Sequence, residues 1–377
     1  MKYIHYFGSE AAYNQARNNN YIEPWVSYTE GRGLDYNKPY DPYLHMPFTI
    51  EALGSGNITW ALDTKTVQYS KNGSSWETMT KNTTISVVEG DEVQFKGNNS
   101  SYSYFDFDRF KYIGNSLVST VDCNVYGNIM SLTDGDNFEN ADTVNGYAFY
   151  SLFFVSQSDN FRVVNAKNLK LPATTLATSC YEGMFSGCTS LTAAPELPVT
   201  TLAESCYSSM FSGCTSLTTA PVLPATTLAN SCYSLMFGGC TSLTTAPELP
   251  AATLAVFCYA GMFSNCTNLT TAPELPVTVL TESCYAGMFQ GCTSLTTAPV
   301  LPATTLTGSC YNNMFQGCTN LNYIKAMFTT APSSTYTSNW VSGVASTGTF
   351  VKNASATWTT TGVHGIPTGW TVQTATE

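Results

Sequence analysis

Charged side chains are scarce in this sequence. Asp, Glu, Lys and Arg make up 11% of its 377 residues, less than half of the roughly 25% that is usual in soluble domains. No Lys or Arg lies between Lys170 and Lys325, where six Glu carry the only formal charges. With a net charge of -11, the chain lacks the basic surface that nucleic acids require. We therefore expect no nucleic-acid partner and no binding to an anionic membrane surface.

Long hydrophobic runs are absent as well. No stretch of 18 apolar residues occurs, so we expect no membrane-spanning helix and no membrane insertion. The first twenty residues lack the apolar centre of 7–15 residues that a secretory signal contains. The sequence therefore predicts no signal peptide in this chain.

Histidine is rare, and this limits catalytic and metal chemistry. The three histidines, His5, His45 and His364, are far apart in the sequence. They form neither a metal-binding trio nor the Ser-His-Asp grouping of a hydrolase. Glu196, Glu248 and Glu274 share one repeat position with valine in other copies, which is typical of a tolerant exposed site. We expect a non-enzymatic protein without a cofactor.

The abundant feature is a 26-residue unit that occurs six times without insertion or deletion. The first five copies read Cys-Tyr-x-x-Met-Phe-x-Gly-Cys-Thr-Ser-Leu-Thr-Thr-Ala-Pro-x-Leu-Pro with small variations, and the sixth keeps this pattern as far as Leu321. The pair that opens each copy begins at Cys180, Cys206, Cys232, Cys258, Cys284 and Cys310. A strict period of 20–50 residues is typical of a solenoid. Because solenoids present long regular surfaces, such proteins usually bind partners.

Twelve of the thirteen cysteines fall in two columns of this repeat. The second column comprises Cys188, Cys214, Cys240, Cys266, Cys292 and Cys318. Stacked strands about 4.8 Å apart lie within the roughly 4.4–6.8 Å Cα separation of a disulfide. Pairing would break the equivalence of the copies, which favours two ladders of buried thiols, while some disulfides stay an alternative. A metal site is disfavoured because no His or Cys-x-x-Cys lies nearby.

The predicted fold is mainly β with short helices, in five segments. They are a leader or docking segment at 1–46, a small antiparallel β-sandwich at 47–130, an N-terminal solenoid cap at 131–168, a solenoid of six 26-residue repeats at 169–326 and a C-terminal cap at 327–377. Alternating apolar residues indicate the strands of the sandwich. Asn72-Gly73 predicts one hairpin, and Glu89-Gly90-Asp91 predicts a second. Within each repeat, Ser-Leu-Thr predicts a strand and Ser-Cys-Tyr-x-x-Met-Phe a short helical turn.

The same alternation predicts a binding surface. Leu191 points inward, so its neighbours Ser190 and Thr192 point outward. The corresponding positions form two polar columns, namely Ser190, Ser216, Ser242, Asn268 and Ser294, and Thr192, Thr218, Thr244, Thr270 and Thr296. These side chains are candidates to contact a glycan or a protein. The alternative is that threonine simply suits β-structure.

An acidic run before the repeats offers one candidate metal site. Asp134, Asp136 and Asp142 lie close in sequence around Gly135, and oxygen ligands of this kind bind Ca²⁺. Their spacing is not that of an EF-hand. A solvated loop is the alternative.

The repeated phrase from Met-Phe to Leu-Pro resembles the BspA-type leucine-rich repeat, whose unit has an Ala-Phe pair, a Cys, a spaced Leu and an apolar-Pro step. The resemblance covers residues 169–326. This sequence departs from it in having 26 residues instead of about 23, and Met where Ala is common. Segments at 23–28 and 339–343 resemble those that accompany such repeats in gut anaerobes and their phages. The resemblance implies surface adhesion and receptor recognition, without catalytic residues.

We therefore predict a non-enzymatic recognition or adhesion protein. The leading hypothesis is a phage tail-associated virion protein that binds a host-surface protein or glycan and contacts other tail proteins through its leader. The absent signal peptide favours this over a bacterial cell-surface adhesin, which must cross a membrane. A structural spacer is the third possibility. The predicted location is a virion tail or a cell surface.

Overall fold

The computed structural model describes residues 41–60, 65–79, 83–106, 111–114, 117–154 and 162–376. The predicted leader therefore lies outside the described residues except for 41–46. The chain is mainly β with few helices. Those described are a 3-10 helix at Pro42–His45, the helix α1 at Ser131–Asp134 and a 3-10 helix at Gly135–Asn140. Over this part of the chain, no helix has the length and apolar character needed to cross a membrane.

Ten strands are described between residues 48 and 128. They are β1 (Phe48–Ala52), β2 (Gly56–Trp60), β3 (Val67–Lys71), β4 (Glu77–Met79), β5 (Thr84–Val87), β6 (Glu92–Gly97), β7 (Ser103–Asp106), β8 (Lys111–Gly114), β9 (Leu117–Ser119) and β10 (Cys123–Asn128). One antiparallel sheet has the order β10-β1-β6-β3-β4, another has the order β5-β2-β9, and β7 pairs with β8. The ring of Trp60 meets that of Phe95 edge-on with centroids 5.4 Å apart. The two larger sheets therefore contact each other through the buried rings of Trp60 in β2 and Phe95 in β6.

One of the two predicted hairpins forms. β3 and β4 pair antiparallel across Asn72-Gly73, both of which have positive φ, 52° and 73°. The second hairpin prediction was wrong. A turn forms at Glu89-Gly90, but β5 joins β2 and β6 joins β1 and β3. The turn connects the two sheets because its backbone hydrogen-bonds to the end of β1, where the Gly90 N–H donates to the Ala52 carbonyl over 2.9 Å.

The first sheet continues toward the repeats. Two further strands, β11 (Val163–Asn165) and β12 (Leu169–Lys170), pair parallel with β10, and Asn165 forms a bridge with Ala193 of the first repeat. Helix α1 lies under this sheet. There the Ser131 hydroxyl accepts from the Phe48 N–H at 2.9 Å and donates to the Phe95 carbonyl at 2.8 Å. Residues 131–134, predicted to begin the solenoid cap, thus contact the preceding sheet.

Within each repeat, the expected short helix is replaced by consecutive turns. Every fourth residue there has positive φ, as at Ser179 (54°), Gly183 (61°) and Gly187 (80°), and such a residue interrupts an α-helix. Alternate N–H groups donate within the segment, and those between them donate to the next repeat, as Phe185 does to the Met210 carbonyl at 2.9 Å. The predicted Ser-Leu-Thr strand is reduced to isolated parallel bridges such as Thr245 to Thr271.

Two columns of stacked aromatic rings fill the interior of the repeats. The tyrosine rings of neighbouring repeats lie 5.8–6.1 Å apart and the phenylalanine rings 5.6–5.8 Å apart. Before the first repeat, Phe149 stacks between Tyr102 and Tyr181, and Phe153 contacts the Phe48 ring. The columns therefore join the repeats to the preceding sheets in one continuous core.

All thirteen cysteines are buried and free, as the thiol-ladder alternative expects. In the second column, each thiol lies near the phenylalanine carbonyl of the preceding repeat. The Cys240 Sγ–H donates to the Phe211 carbonyl over 3.1 Å, and the Cys266 Sγ–H donates to that of Phe237 over the same distance. Cysteine is thus both a small apolar residue and a weak donor here. Burial raises the pKa of the Cys188 thiol to about 12, so this column stays protonated at neutral pH.

At the far end, strands β13 (Tyr323–Ala326), β14 (Thr349–Lys352) and β15 (Thr371–Thr374) form a parallel sheet. The turn pattern continues past the predicted boundary at 326. The Asn313 N–H donates to the Ser338 carbonyl and the Gly317 N–H to the Ser342 carbonyl, both over 2.7 Å. Trp340 ends both aromatic columns, contacting Tyr311 and Phe315. This extra turn has no Cys or repeat Leu, so the sequence period did not show it.

Removing one buried hydroxyl is expected to stabilise the protein. Within the described chain, the Tyr181 and Tyr207 hydroxyls are buried without a hydrogen-bond partner. Tyr207→Phe should raise the free energy of unfolding by about 1 kcal/mol, since it removes the desolvation cost of that group. Tyr102→Phe is the matched control. The Tyr102 hydroxyl donates to the Leu132 carbonyl over 2.7 Å, so its loss should lower stability by about 1–2 kcal/mol. Denaturant titration measures both changes in the free energy of unfolding. If both variants were stabilised or both destabilised, the Tyr207 hydroxyl could not be an unpaired buried group.

Candidate functional site

The structure places the predicted threonine column at the surface. Thr192, Thr218, Thr244, Thr270 and Thr296 are all exposed, as is Asn268, whereas Ser190, Ser216, Ser242 and Ser294 are half-buried. Each threonine occupies the same position in its repeat, and neighbouring repeats stack directly. The column is therefore a line of hydroxyl and methyl groups along one side of the repeat array. Whether it binds a partner stays a prediction.

Some of these hydroxyls also join neighbouring repeats. The Thr192 hydroxyl donates to the Val164 carbonyl over 2.9 Å, and the Thr270 hydroxyl donates to the Thr244 carbonyl over 3.2 Å. Because both acceptors belong to the preceding turn of the chain, these threonines stabilise the stacking of repeats. Both threonines nevertheless remain exposed.

A groove, here called the first groove, borders the threonine column. It has a volume of about 580 Å³ and lies between residues 192–198 and 219–224 of two neighbouring repeats, with Lys167 at one end. Its lining is mostly Ala, Pro and Leu, and Val222 is 79% exposed beside it. A second groove of about 490 Å³ lies between residues 250–254 and 276–281, where Val279 is 75% exposed.

The Ala-Pro-x-Leu-Pro segments of two copies line the first groove, whereas the second groove is lined by Pro250 and Pro276, which end such segments, and by the residues that follow them. Proline has no N–H and cannot donate to a neighbouring strand. Two prolines in each of the first five copies, such as Pro195 and Pro198, therefore cannot donate to a neighbouring repeat on this side. Sequence reasoning used these prolines only to direct the chain. The missing donors in successive copies were the signal that could have revealed the grooves.

The acidic positions of the repeats lie on the same side. Glu196, Glu248 and Glu274 are exposed, and Glu196 lines the first groove. No Lys or Arg lies between Lys170 and Lys325, so Lys167 is the basic residue in the lining of the first groove and the rest of this surface is weakly negative or neutral. It suits uncharged or basic groups of a partner better than acidic ones.

The candidate calcium ligands do not meet as one site. Asp136 pairs with Lys96 over 2.7 Å, and the Asp134 carboxylate accepts from Thr133 over 2.6 Å. The Asp142 carboxylate accepts from the adjacent Thr143 over 3.1 Å. In the described ranges, no three Asp, Glu, His or Cys side chains are grouped as a metal ion requires.

The histidines that the structure describes lie in different environments. His45 Nδ1 lies 3.2 Å from the Glu139 carboxylate, before the repeats. The His364 ring nitrogen accepts from the Asn339 N–H over 3.1 Å near the C-terminal end. His5 lies outside the described residues.

Comparison with protein families gives one match. The model of the BspA type leucine-rich repeat region matches in six copies over residues 119–253 and 237–339, which together span more than half of the chain. The searches of curated proteins and of solved structures returned no match. The match begins at the end of β9, before the first regular repeat, and ends at the extra turn near Trp340. The chain therefore belongs to the BspA-type leucine-rich repeat proteins.

Proposed function

We propose that this chain is a recognition protein that holds a host-surface protein or glycan against the grooved side of its repeats. Its family indicates a surface or adhesion protein and is generally non-enzymatic. In this proposal the stacked repeats form an open solenoid, the two sheets before them form a small β-sandwich, and both ends of the solenoid are capped.

The observation that carries the proposal is the first groove beside the exposed threonine column. The groove offers an apolar floor for aliphatic or ring groups, while the threonines offer hydroxyls at regular spacing. Val222 stands 79% exposed at its border, and an exposed apolar side chain beside a groove is typical of an interaction surface. Because the repeats are nearly identical, a partner can contact several copies in register.

The finer proposal places the protein in a phage tail, with residues 1–46 attached to other tail proteins. A bacterial cell-surface adhesin with the same grooved side is the second candidate, supported by the family's association with surfaces. A structural spacer is the third. Binding by the grooved side distinguishes either recognition function from the spacer.

Val222→Lys is expected to weaken binding of the purified full chain to intact gut-anaerobe cells by about tenfold or more, which corresponds to about 1.4 kcal/mol. A lysine at this position places a hydrated charge at the border of the apolar groove. Flow cytometry with labelled protein measures the binding, and a panel of strains identifies a host.

Val88→Lys is the matched control, since Val88 is 56% exposed but lies between β5 and β6, outside the repeats. It should bind as the parent chain does. Equal loss in both variants would place the contact elsewhere, and no binding by the parent to any strain would favour the spacer.

A further inference from the structure

A polar pocket lies on the first sheet, at the place where that sheet continues toward the repeats. Its volume is about 260 Å³, and its lining comes from the 3-10 helix at 42–45, strands β1, β6, β10 and β11, and the turn after β11. We call it the junction pocket. It shares no lining residue with the first groove, which is lined by Lys167 and by residues within 192–198 and 219–224, or with the second, which is lined by residues within 250–254 and 276–281.

Two carboxylates lie side by side at this pocket. Glu51 in β1 is the direct cross-strand neighbour of Glu92 in β6, and on its other side it pairs with Asn124 in β10. Like charges directly opposite each other destabilise an antiparallel pair. No Lys or Arg of the described chain pairs with either carboxylate. The arrangement is thus costly to the fold and points to a role in binding.

Each carboxylate is held by one neutral donor. The Asn124 side-chain amide donates to Glu51 Oε2 over 2.8 Å, and the Tyr126 hydroxyl donates to Glu92 Oε1 over 2.7 Å. Burial first, and this hydrogen bond second, raise the pKa of Tyr126 well above its ordinary value, so Tyr126 remains a donor. A carboxylate accepts several hydrogen bonds, and the second oxygen of each Glu therefore remains available to a ligand.

The pocket also offers donors and an aromatic wall. The Asn165 side-chain oxygen accepts from the Lys167 N–H over 2.9 Å, which leaves its amide group as a donor. Tyr43 meets Tyr126 edge-on with centroids 5.6 Å apart. Acceptors, donors and ring surface thus converge within one small concavity, as they do in small-molecule sites.

We propose that the junction pocket binds one sugar unit of a glycan, of a neutral or amino sugar. Sugar hydroxyls both donate and accept, which matches carboxylate acceptors beside amide donors. The C–H face of a sugar ring packs on an aromatic ring. The volume of about 260 Å³ suits one ring, and two adjacent carboxylates repel a sugar acid. A lone Ca²⁺ requires several oxygen ligands converging at about 2.3–2.6 Å, and among the described residues no three Asp, Glu, His or Cys side chains are grouped so as to hold a metal ion.

The test titrates the full chain with glucose, galactose, mannose, N-acetylglucosamine, glucosamine and glucuronate, followed by saturation-transfer NMR. We expect at least one neutral or amino sugar to bind with a dissociation constant of about 1–10 mM, which is usual for a ligand of this size. Glucuronate should not bind. Glu51→Gln and Glu92→Gln should each weaken binding at least tenfold, because a neutral amide is a poorer acceptor than a carboxylate.

Glu77→Gln is the matched control. Glu77 accepts from the Tyr69 hydroxyl over 2.8 Å on the same sheet, which reproduces the Tyr–Glu pair outside the pocket, so this variant should bind as the parent does. Val222→Lys should also leave sugar binding unchanged, so this proposal and that for the grooves fail separately.

Several outcomes would overturn the proposal. One is no binding of any sugar, with or without Ca²⁺. Another is sugar binding that survives both pocket substitutions. A third is binding of Ca²⁺ alone that is lost in Glu51→Gln, which would make the pocket a cation site.

Discussion

Raising the pH above about 9 is expected to unfold the repeats. Burial raises the pKa of Cys180, Cys188, Cys232, Cys266, Cys310 and Cys318 to about 12 and that of Cys284 to about 11, whereas an unfolded thiol titrates near 8.5–9. Below pH 8 both states keep their protons, and this contribution to stability is fully present. Between about pH 9 and 12 the unfolded state loses protons first, so the folded state loses stability.

The loss of stability summed over the buried thiols is large enough to unfold the repeats. At pH 10, each thiol that ionises only on unfolding lowers the free energy of unfolding by about 1.4 kcal/mol. Twelve such thiols together would outweigh the roughly 5–15 kcal/mol by which most proteins are stable. The buried tyrosines act in the same direction, since burial also raises the pKa of Tyr259. Circular dichroism and thiolate absorbance, followed from pH 7 to pH 11, should change together.

A double variant tests the cause. Replacing Cys240 and Cys266 by Ala should lower stability at pH 7, but it should reduce the loss between pH 7 and pH 10 by about 1.4 kcal/mol for each thiol removed. Urea titrations at both pH values give the four free energies. Equal pH dependence in parent and variant would show that the cysteines are not responsible.

The second large effect is expected from Phe237→Ala. The Phe237 ring stacks between Phe211 at 5.7 Å and Phe263 at 5.8 Å, in the middle of the phenylalanine column. Truncating such a buried ring lowers the free energy of unfolding by about 3–5 kcal/mol, because the transfer free energy of the ring is lost and a cavity is left behind. In a stack where each repeat is stabilised mainly by its neighbours, the cavity also divides the column. Thermal unfolding should shift to lower temperature and broaden.

Phe257→Ala is the control in the same part of the chain. Phe257 is 43% exposed and has a positive φ of 55°, at a position where the other five copies have Ser. Its loss should change stability by no more than about 0.5 kcal/mol. Comparable losses in the two variants would mean that the column does not carry the stability of the repeats.

Much of the interior followed from the period of the sequence. Cys188, Leu191, Met184 and Phe185 are buried as predicted, because apolar residues that recur at the same position of every copy form the shared interior. The tyrosine column was missed, since a hydroxyl suggests a surface position, yet Tyr181 is fully buried. The tyrosine ring is buried because it stacks on the tyrosine rings of the neighbouring repeats.

The turn conformation and the junction pocket were harder to predict. Positive φ occurs at serine and at Leu235 and Phe257, residue types that give no sign of it, so the local sequence resembled a helix. The junction pocket needs β1, β6, β10 and β11 together, and parallel pairing of β10 with β11 joins segments about forty residues apart. Such long-range pairing has no periodic signal in the sequence.

The direction of the hydrogen bonds between turns has a mechanical consequence. In the turn segments, donors such as Tyr181, Gly183, Phe185 and Gly187 all reach forward to the next repeat. A force that pulls the chain away from one end would therefore break the hydrogen bonds between one pair of repeats before it reaches the next pair. Each repeat that opens frees 26 residues, about 90 Å of extended chain. A molecule held between two surfaces would yield in equal steps at modest force, lengthening while its remaining repeats stay folded.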